Sequence, residues 1–209
     1  DGTHPLRGTR DWESLGGWGT PPGYEAFEMA IFDIVGKVRE VPVHELLGGA
    51  YRERVPADYW IGHQTPEDSA ANARIGFERG FHGVKIKCTS DEPMVERVQA
   101  ILDATDASFK CTIDPNQRFY RPSEAIQLAG QFEEVGNVGV LEDPMAKWNL
   151  DWYRQLRAAT KIPVALHLEN PHDIINAIKA EAVDIFNLGG SMWNFVKNAA
   201  IADAAGIPC

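Results

Sequence analysis

The stretch Gly83-Val84-Lys85-Ile86-Lys87-Cys88 is followed, after a helix-like segment at 92–104, by Phe109-Lys110-Cys111-Thr112-Ile113-Asp114. Both are short apolar runs containing β-branched residues, which is how strands read, and they are too short for helices. Strand, helix and strand in about 30 residues make one βαβ unit, and such units are right-handed and build parallel sheets. The same rhythm runs outward from this unit. Further strands are expected at 55–61, 138–142, 163–169 and 183–188, and helices at 66–79, 123–135, 150–160, 171–180 and 194–205. Ser123 and Asp173 stand where helix starts are expected, and Gly80, Gly136 and Gly206 where helices stop. Six units in succession, one roughly every 25 residues, predict a (β/α)₈ TIM barrel rather than a doubly wound sheet. No GxGxxG follows the first strand, which removes the usual argument for a Rossmann domain.

An eight-stranded barrel takes roughly 250 residues, whereas this chain has 209 and ends on Gly206-Ile207-Pro208-Cys209, a helix stop leading toward another strand. It therefore reads as a barrel incomplete at both ends. Before the first strand, Phe27, Ala30, Ile31, Ile34 and Val38 recur at helical spacing, and the first twenty-odd residues read as an irregular start. Hydrophobic residues make up 44% and charged residues 24%, ordinary for a soluble globular protein, and the net charge is −10. An acidic surface repels phosphate backbones, so a nucleic-acid partner is not expected. No apolar run reaches membrane-spanning length and no signal-peptide pattern opens the chain. Three cysteines without a CxxC pair (Cys88, Cys111 and Cys209) fit a reducing, cytoplasmic location.

The chemistry is carried by what ends the strands. The second ends in Lys85-Ile86-Lys87, the third in Asp114-Pro115-Asn116, the fourth in Glu142-Asp143-Pro144 and the fifth in Glu169-Asn170. Alternation puts Lys85 and Lys87 on one face, and Asp114 with Asn116 likewise. In a barrel the C-terminal strand ends form the active-site face, so Asp114, Glu142 and Glu169 would converge there. Three carboxylates in a partly dry site repel one another unless a cation joins them, and a hard divalent ion such as Mg²⁺ suits oxygen ligands. Beside such a site one lysine, its pKa lowered by cationic neighbours, can serve as a base. Taken singly, a KxK is commonly a solvated strand edge and a strand-end acid commonly a helix cap. Four such ends in this order are far more specific.

The series KIK, DPNQ, LEDP and LEN resembles the mandelate racemase and muconate-lactonizing group of the enolase superfamily. The stretch FEMAIFDIVGK at 27–37 and Leu46-Leu47-Gly48-Gly49 are similar to the segment that precedes the barrel in that group. The resemblance implies that Asp114, Glu142 and Glu169 bind Mg²⁺. It further implies that Lys87 is the base, that Lys85 neutralises the substrate carboxylate and that Asn116 is a neighbour in the site. Residues 1–54 would be the end of a capping region with its linking helix, and 55–209 the catalytic barrel with about six of eight units. The implied reaction removes the proton α to a carboxylate of a small molecule through an enediolate. Dehydration of a hydroxy or sugar acid is the first expectation, and racemisation or epimerisation of a hydroxy or amino acid the second. A non-catalytic scaffold is a third reading, which the intact carboxylate trio opposes. Relatives are commonly homo-oligomers.

Departures from the pattern add candidates. His167 shares the parity of Glu169 and is a candidate substrate contact, with a packed barrel histidine as the alternative. The sixth strand, Asp184-Ile185-Phe186-Asn187-Leu188-Gly189-Gly190, lacks the lysine found there in muconate-lactonizing and amino-acid epimerase types. Asp184 is a candidate half of an Asp–His dyad, with an outward or capping aspartate as the alternative. His63, after the first strand, is a further candidate substrate contact, while Trp60, Lys147 and Trp148 are better explained by packing or exposure. Cys88 and Cys111 read as small buried strand residues.

Overall fold

The structure, a computed structural model, describes residues 23–209; the irregular start expected before them lies outside the described residues. Helices α1 (Tyr24–Arg39) and α2 (Val43–Leu46) lead into β1 (Asp58–Ile61), α3 (Pro66–Glu78), β2 (Gly83–Lys87) and α4 (Met94–Ala104). There follow β3 (Lys110–Asp114), α5 (Pro122–Val135), β4 (Val138–Glu142), α6 (Leu150–Ala159), β5 (Val164–Leu168), α7 (Pro171–Lys179), β6 (Ile185–Leu188) and α8 (Met192–Ala204). The six strands pair in parallel and in chain order, β1 through β6. A doubly wound sheet reverses its strand order at a switch point; this one does not, and it is an arc of a barrel.

Strand side chains alternate between two environments. Val84, Ile86, Cys111, Ile113, Leu141, Val164, Leu166 and Phe186 lie under the helices and are buried. The other face carries Trp60, Lys85 and Thr112, held level by the pairs Trp60↔Lys85 and Lys85↔Thr112. A register shift after Cys111 then decides the fourth strand. Cys111 pairs with Val138 but Thr112 pairs with Val140, so one residue of β4 is skipped. Without that bulge Glu142 would share the helix-covered face of Val138; with it, Glu142 turns to the lysine face.

Helix ends follow their local chemistry. Gly80, Gly136 and Gly206 have φ of +80°, +88° and +69°, the left-handed conformation a glycine adopts without steric cost. Thr65 and Ser191 cap α3 and α8 through their hydroxyls. One expected start moves by a residue. Proline occupies the first position of α5, which begins at Pro122 rather than Ser123; α7 begins at Pro171 as expected, but Asn170 rather than Asp173 caps it by accepting from the His172 N–H at 2.8 Å.

The face of α1 is not the one the apolar spacing predicts. Phe27, Ile34 and Val38 are exposed, while Glu28, Phe32 and Gly36 are buried. Glu28 Oε2 accepts from the Met192 N–H at 2.6 Å, a carboxylate set on the N-terminus of α8, and Phe32 meets Trp193 edge-on at 5.8 Å. Among the described residues a polar cap and an aromatic pair help dock this helix, and a hydrophobicity pattern does not register them. Among the described residues no helix is long and apolar enough to cross a membrane.

Candidate active site

Lys85 and Lys87 project from the inner face of β2 onto carboxylates of the next two strands. Lys85 Nζ donates to Glu142 Oε2 at 2.6 Å and lies 3.0 Å from Asp114 Oδ2. Lys87 Nζ donates to Asp114 Oδ2 and, at 2.9 Å, to Asn116 Oδ1. The Asn116 N–H in turn donates to Asp114 Oδ1 at 3.1 Å, and φ of +46° at Asn116 folds the loop back over the strand end. Both carboxylates are nearly inaccessible, with side chains 1% and 6% exposed for Asp114 and Glu142. Burial opposes the charge of Asp114, but hydrogen bonds from the two lysines hold its carboxyl below the ordinary range. Burial also opposes the Lys85 ammonium, yet Glu142 and Asp114 carry its pKa above the ordinary lysine value. Lys85 is therefore held as a positive charge between the two carboxylates.

The fifth and sixth strands complete the face. Glu142 pairs with Ala165, and His167 with Asn187, which puts His167 and Asn187 on the inner side. Asn187 Nδ2 donates to Glu142 Oε1 at 2.7 Å, so both oxygens of Glu142 have donors. A ring nitrogen of His167 and carboxylate oxygens of Glu142 and Asp143 lie within 4.8 Å of one another, and His167 Nε2 is 3.7 Å from Glu169 Oε1. Glu169 is the open member of the trio, 60% exposed. A Cβ at Gly189 would stand 2.8 Å from His167 Nε2 and 3.0 Å from Glu169 Oε1, so the glycine leaves the room those two side chains occupy.

Two donor sets present themselves for a cation. Glu142, Asp143 and His167 cluster most tightly. Asp143 has both oxygens engaged, by the His167 N–H at 2.9 Å and Lys147 Nζ at 2.8 Å, but so do Glu142 and Asp114; what separates the sets is that the first includes an imidazole, which suits Mg²⁺ less well than oxygen. Asp114, Glu142 and Glu169 offer hard oxygens at successive strand ends, with an ammonium standing between the first two, where the charges call for a cation. That set fits Mg²⁺.

Other expected residues are placed less centrally. Asp184 precedes β6, at the end of the barrel opposite the lysines, and turns toward the helices. It accepts from Arg157 of α6 at 2.5 Å and from the Val164 N–H at 2.9 Å. The dyad expectation for Asp184 is corrected accordingly, because its carboxylate is a brace between β5, β6 and α6. His63 lies beyond β1 with Nδ1 against Glu92 Oε1 and is half exposed. Trp60 is on the inner face of β1, and Trp148 is exposed beside Trp152. Cys88 and Cys111 are buried and unpaired.

Residues not singled out from sequence also matter. Arg97, fully buried in α4, bonds the carbonyls of Gly62 at 2.8 Å and Lys87 at 3.3 Å, Ser69 Oγ at 3.0 Å and Glu92 Oε2 at 2.5 Å, tying the ends of β1 and β2. An arginine among apolar helix positions was the available signal. Asn187 gave none, since its partner depends on the bulge in β4.

Residues 68–209 match the family described as Enolase C-terminal domain-like. The N-succinyl-L-Arg/Lys racemase of Bacillus cereus is 27% identical over 199 residues, covering 92% of this chain and 54% of that protein. The L-Ala-D/L-Glu epimerase of Bacillus subtilis is 28% identical over 193 residues, 88% of this chain and 52% of that protein. The dipeptide epimerase of Enterococcus faecalis, solved with Mg and the dipeptide L-Leu-L-Tyr, shares the fold with a TM-score of 0.87 at 23% identity, over 98% of this chain and 60% of that one. The chain spans about half the length of the curated relatives it matches.

Proposed function

The chain belongs to the Enolase C-terminal domain-like family, and from that premise we propose that it is part of an Mg²⁺-dependent racemase or epimerase. The substrate would be a small carboxylate, an N-acylated amino acid or a dipeptide, whose α-proton Lys87 would remove from one face while a second acid delivers a proton to the other. The observation that carries the reading is the pair Lys85 and Lys87 held against Asp114 and Glu142 on one inner face. The names of the relatives favour this over dehydration.

Asp114, Glu142 and Glu169 would hold the metal. Bound there, Mg²⁺ would supply positive charge to stabilise the enediolate as it develops. Lys87, kept in place by Asp114 and Asn116, takes the α-proton. Lys85 stays charged and offsets the substrate carboxylate. Asn187 fixes the rotamer of Glu142, and His167 and His63 contact the substrate from β5 and from the loop after β1. Residues 55–209 form the barrel portion, and 1–54 the linking helix and the end of a capping region. The whole protein would be a cytoplasmic homo-oligomer.

Dehydration of a hydroxy or sugar acid is the second reading. One observation favours it: the sixth strand carries Asn187, with Gly189 just after it, and no lysine of the kind epimerase types carry there, and elimination does not need a base on each face.

Proton NMR of the full-length protein with Mg²⁺ in D₂O, against N-succinyl amino acids, dipeptides, hydroxy acids and sugar acids, tests both. Loss of an α-proton signal without elimination, abolished by EDTA and by Lys87→Ala, is the expected result. A keto-acid product selects the dehydratase. Exchange that survives Lys87→Ala or EDTA sinks the assignment of base or metal.

A further inference from the structure

The seam between β4 and β5 is closed by side chains. Main-chain pairing there covers only Leu141 with Val164 and Glu142 with Ala165, followed by a last bond from the Asp143 N–H to the Ala165 carbonyl at 3.0 Å. At Asp143 the backbone leaves strand geometry, with φ of +44°. That is a costly conformation for a non-glycine residue and persists only where its surroundings enforce it. The next donor along β5, the His167 N–H, is met by Asp143 Oδ1 at 2.9 Å instead of by a carbonyl of β4. Lys147 reaches back from the following loop. Its Nζ lies 2.8 Å from Asp143 Oδ2 and donates to the His167 carbonyl at 2.7 Å. The N–H and C=O of His167 are thus both bonded to β4-side side chains, replacing the missing rungs of the ladder.

The position of this clip gives it significance. Glu142 immediately precedes Asp143, and Glu169 follows His167 by two residues. The clip therefore fixes one strand end carrying a carboxylate of the metal set against the next. Asp143 is 1% exposed, so the carboxylate cannot exchange the Lys147 ammonium for water without reopening the seam.

We infer that Asp143 and Lys147 are positioning residues that set the separation of Glu142 and Glu169, and with it the affinity for a divalent cation. The inference rests on the proposed Mg²⁺ site. Its sign sets it apart from simple electrostatics. Lys147→Met removes a positive charge beside the carboxylates, which by Coulomb attraction alone would tighten cation binding. Loss of a positioning contact weakens it, by about 10-fold or more where supporting residues of a metal site are removed.

The test is calorimetric titration of the full-length protein with Mg²⁺, without substrate, for wild type, Lys147→Met, Lys147→Arg and Asp143→Asn, with thermal melts of the metal-free proteins. The expected result is binding by wild type, a loss of about 10-fold or more in Lys147→Met, and recovery of most of that loss in Lys147→Arg. Asp143→Asn keeps an acceptor for the His167 N–H but loses the ion pair, and it too is expected to bind more weakly. A folded Lys147→Met that binds Mg²⁺ as tightly as wild type, or more tightly, overturns the clip while leaving the proposed function standing. If Lys147→Met does not fold, unchanged affinity in Asp143→Asn overturns it. A wild type that binds no Mg²⁺ overturns the proposed function and the clip together.

Discussion

The Lys85 ammonium donates to Glu142 at 2.6 Å across 57 residues of sequence, and the same nitrogen is 3.0 Å from Asp114. One cation thus stands between two buried carboxylates that would otherwise repel. Lys85→Met removes it, and the metal-free protein should lose roughly 2 kcal/mol, the scale of a hydrogen bond to a charged group. Mg²⁺ should then raise the melting temperature more than it does in wild type, because the ligand oxygens no longer have a competing partner. Thermal melts with and without Mg²⁺ read both effects. A smaller Mg²⁺ response than wild type would mean that Asp114 and Glu142 are not ligands.

Arg97 presents a different kind of buried charge. All of its bonds run to the Gly62 and Lys87 carbonyls, Ser69, Glu92 and Met94, and it is 0% exposed. Arg97→Met leaves Glu92 and two carbonyls without their donor, and loss of one partner of a buried ion pair costs about 3–5 kcal/mol. Urea denaturation should show a loss of that order, and Glu92→Gln, whose own side chain is 20% exposed, a smaller one.

What the sequence made legible follows from the range of the physics involved. Strand order and the lysine–carboxylate face depend on alternation within five residues, and those expectations hold for Lys85, Lys87, Asp114 and Asn116. The inward turn of Glu142 depends on a bulge at the neighbouring strand, which no local pattern encodes. Asp184 was misplaced for a related reason: its distance from Gly189 is correct, but β6 begins only at Ile185, so it lies below the sheet and not at its mouth. The docking face of α1 escaped because a buried glutamate, Glu28, does the docking.

Gly189 offers a test in which stability and function should separate. The Cβ added by Gly189→Ala would meet His167 Nε2 at 2.8 Å and Glu169 Oε1 at 3.0 Å, the far ends of two movable side chains. Overpacking of about 1 kcal/mol is the expected stability cost, at the low end for inserted methyl groups. Mg²⁺ affinity should fall several-fold nonetheless, since Glu169 must turn away. Calorimetric titration alongside a chemical melt would show whether affinity drops further than stability; equal affinity would remove Glu169 from the ligand set.

The thiols respond to pH with a definite sign. Burial pushes the Cys88 and Cys111 thiols up to about 12, while Cys209 is exposed. At pH 8 the two buried groups are thiolate in only about one part in ten thousand, and thiolate is the reactive form. Iodoacetamide should therefore label Cys209 in the native protein, and all three cysteines in urea, as read by mass spectrometry. Because the folded pKa exceeds the unfolded value, the bound protons favour the native state below about pH 8.5. That contribution is lost as pH rises toward 12. The melting temperature should accordingly fall on going from pH 8 to pH 10, with labelling of Cys88 and Cys111 appearing only as unfolding begins. Rapid labelling of either at pH 8 in a fully folded sample would show that the thiols just after β2 and within β3 are not sealed beneath the helices.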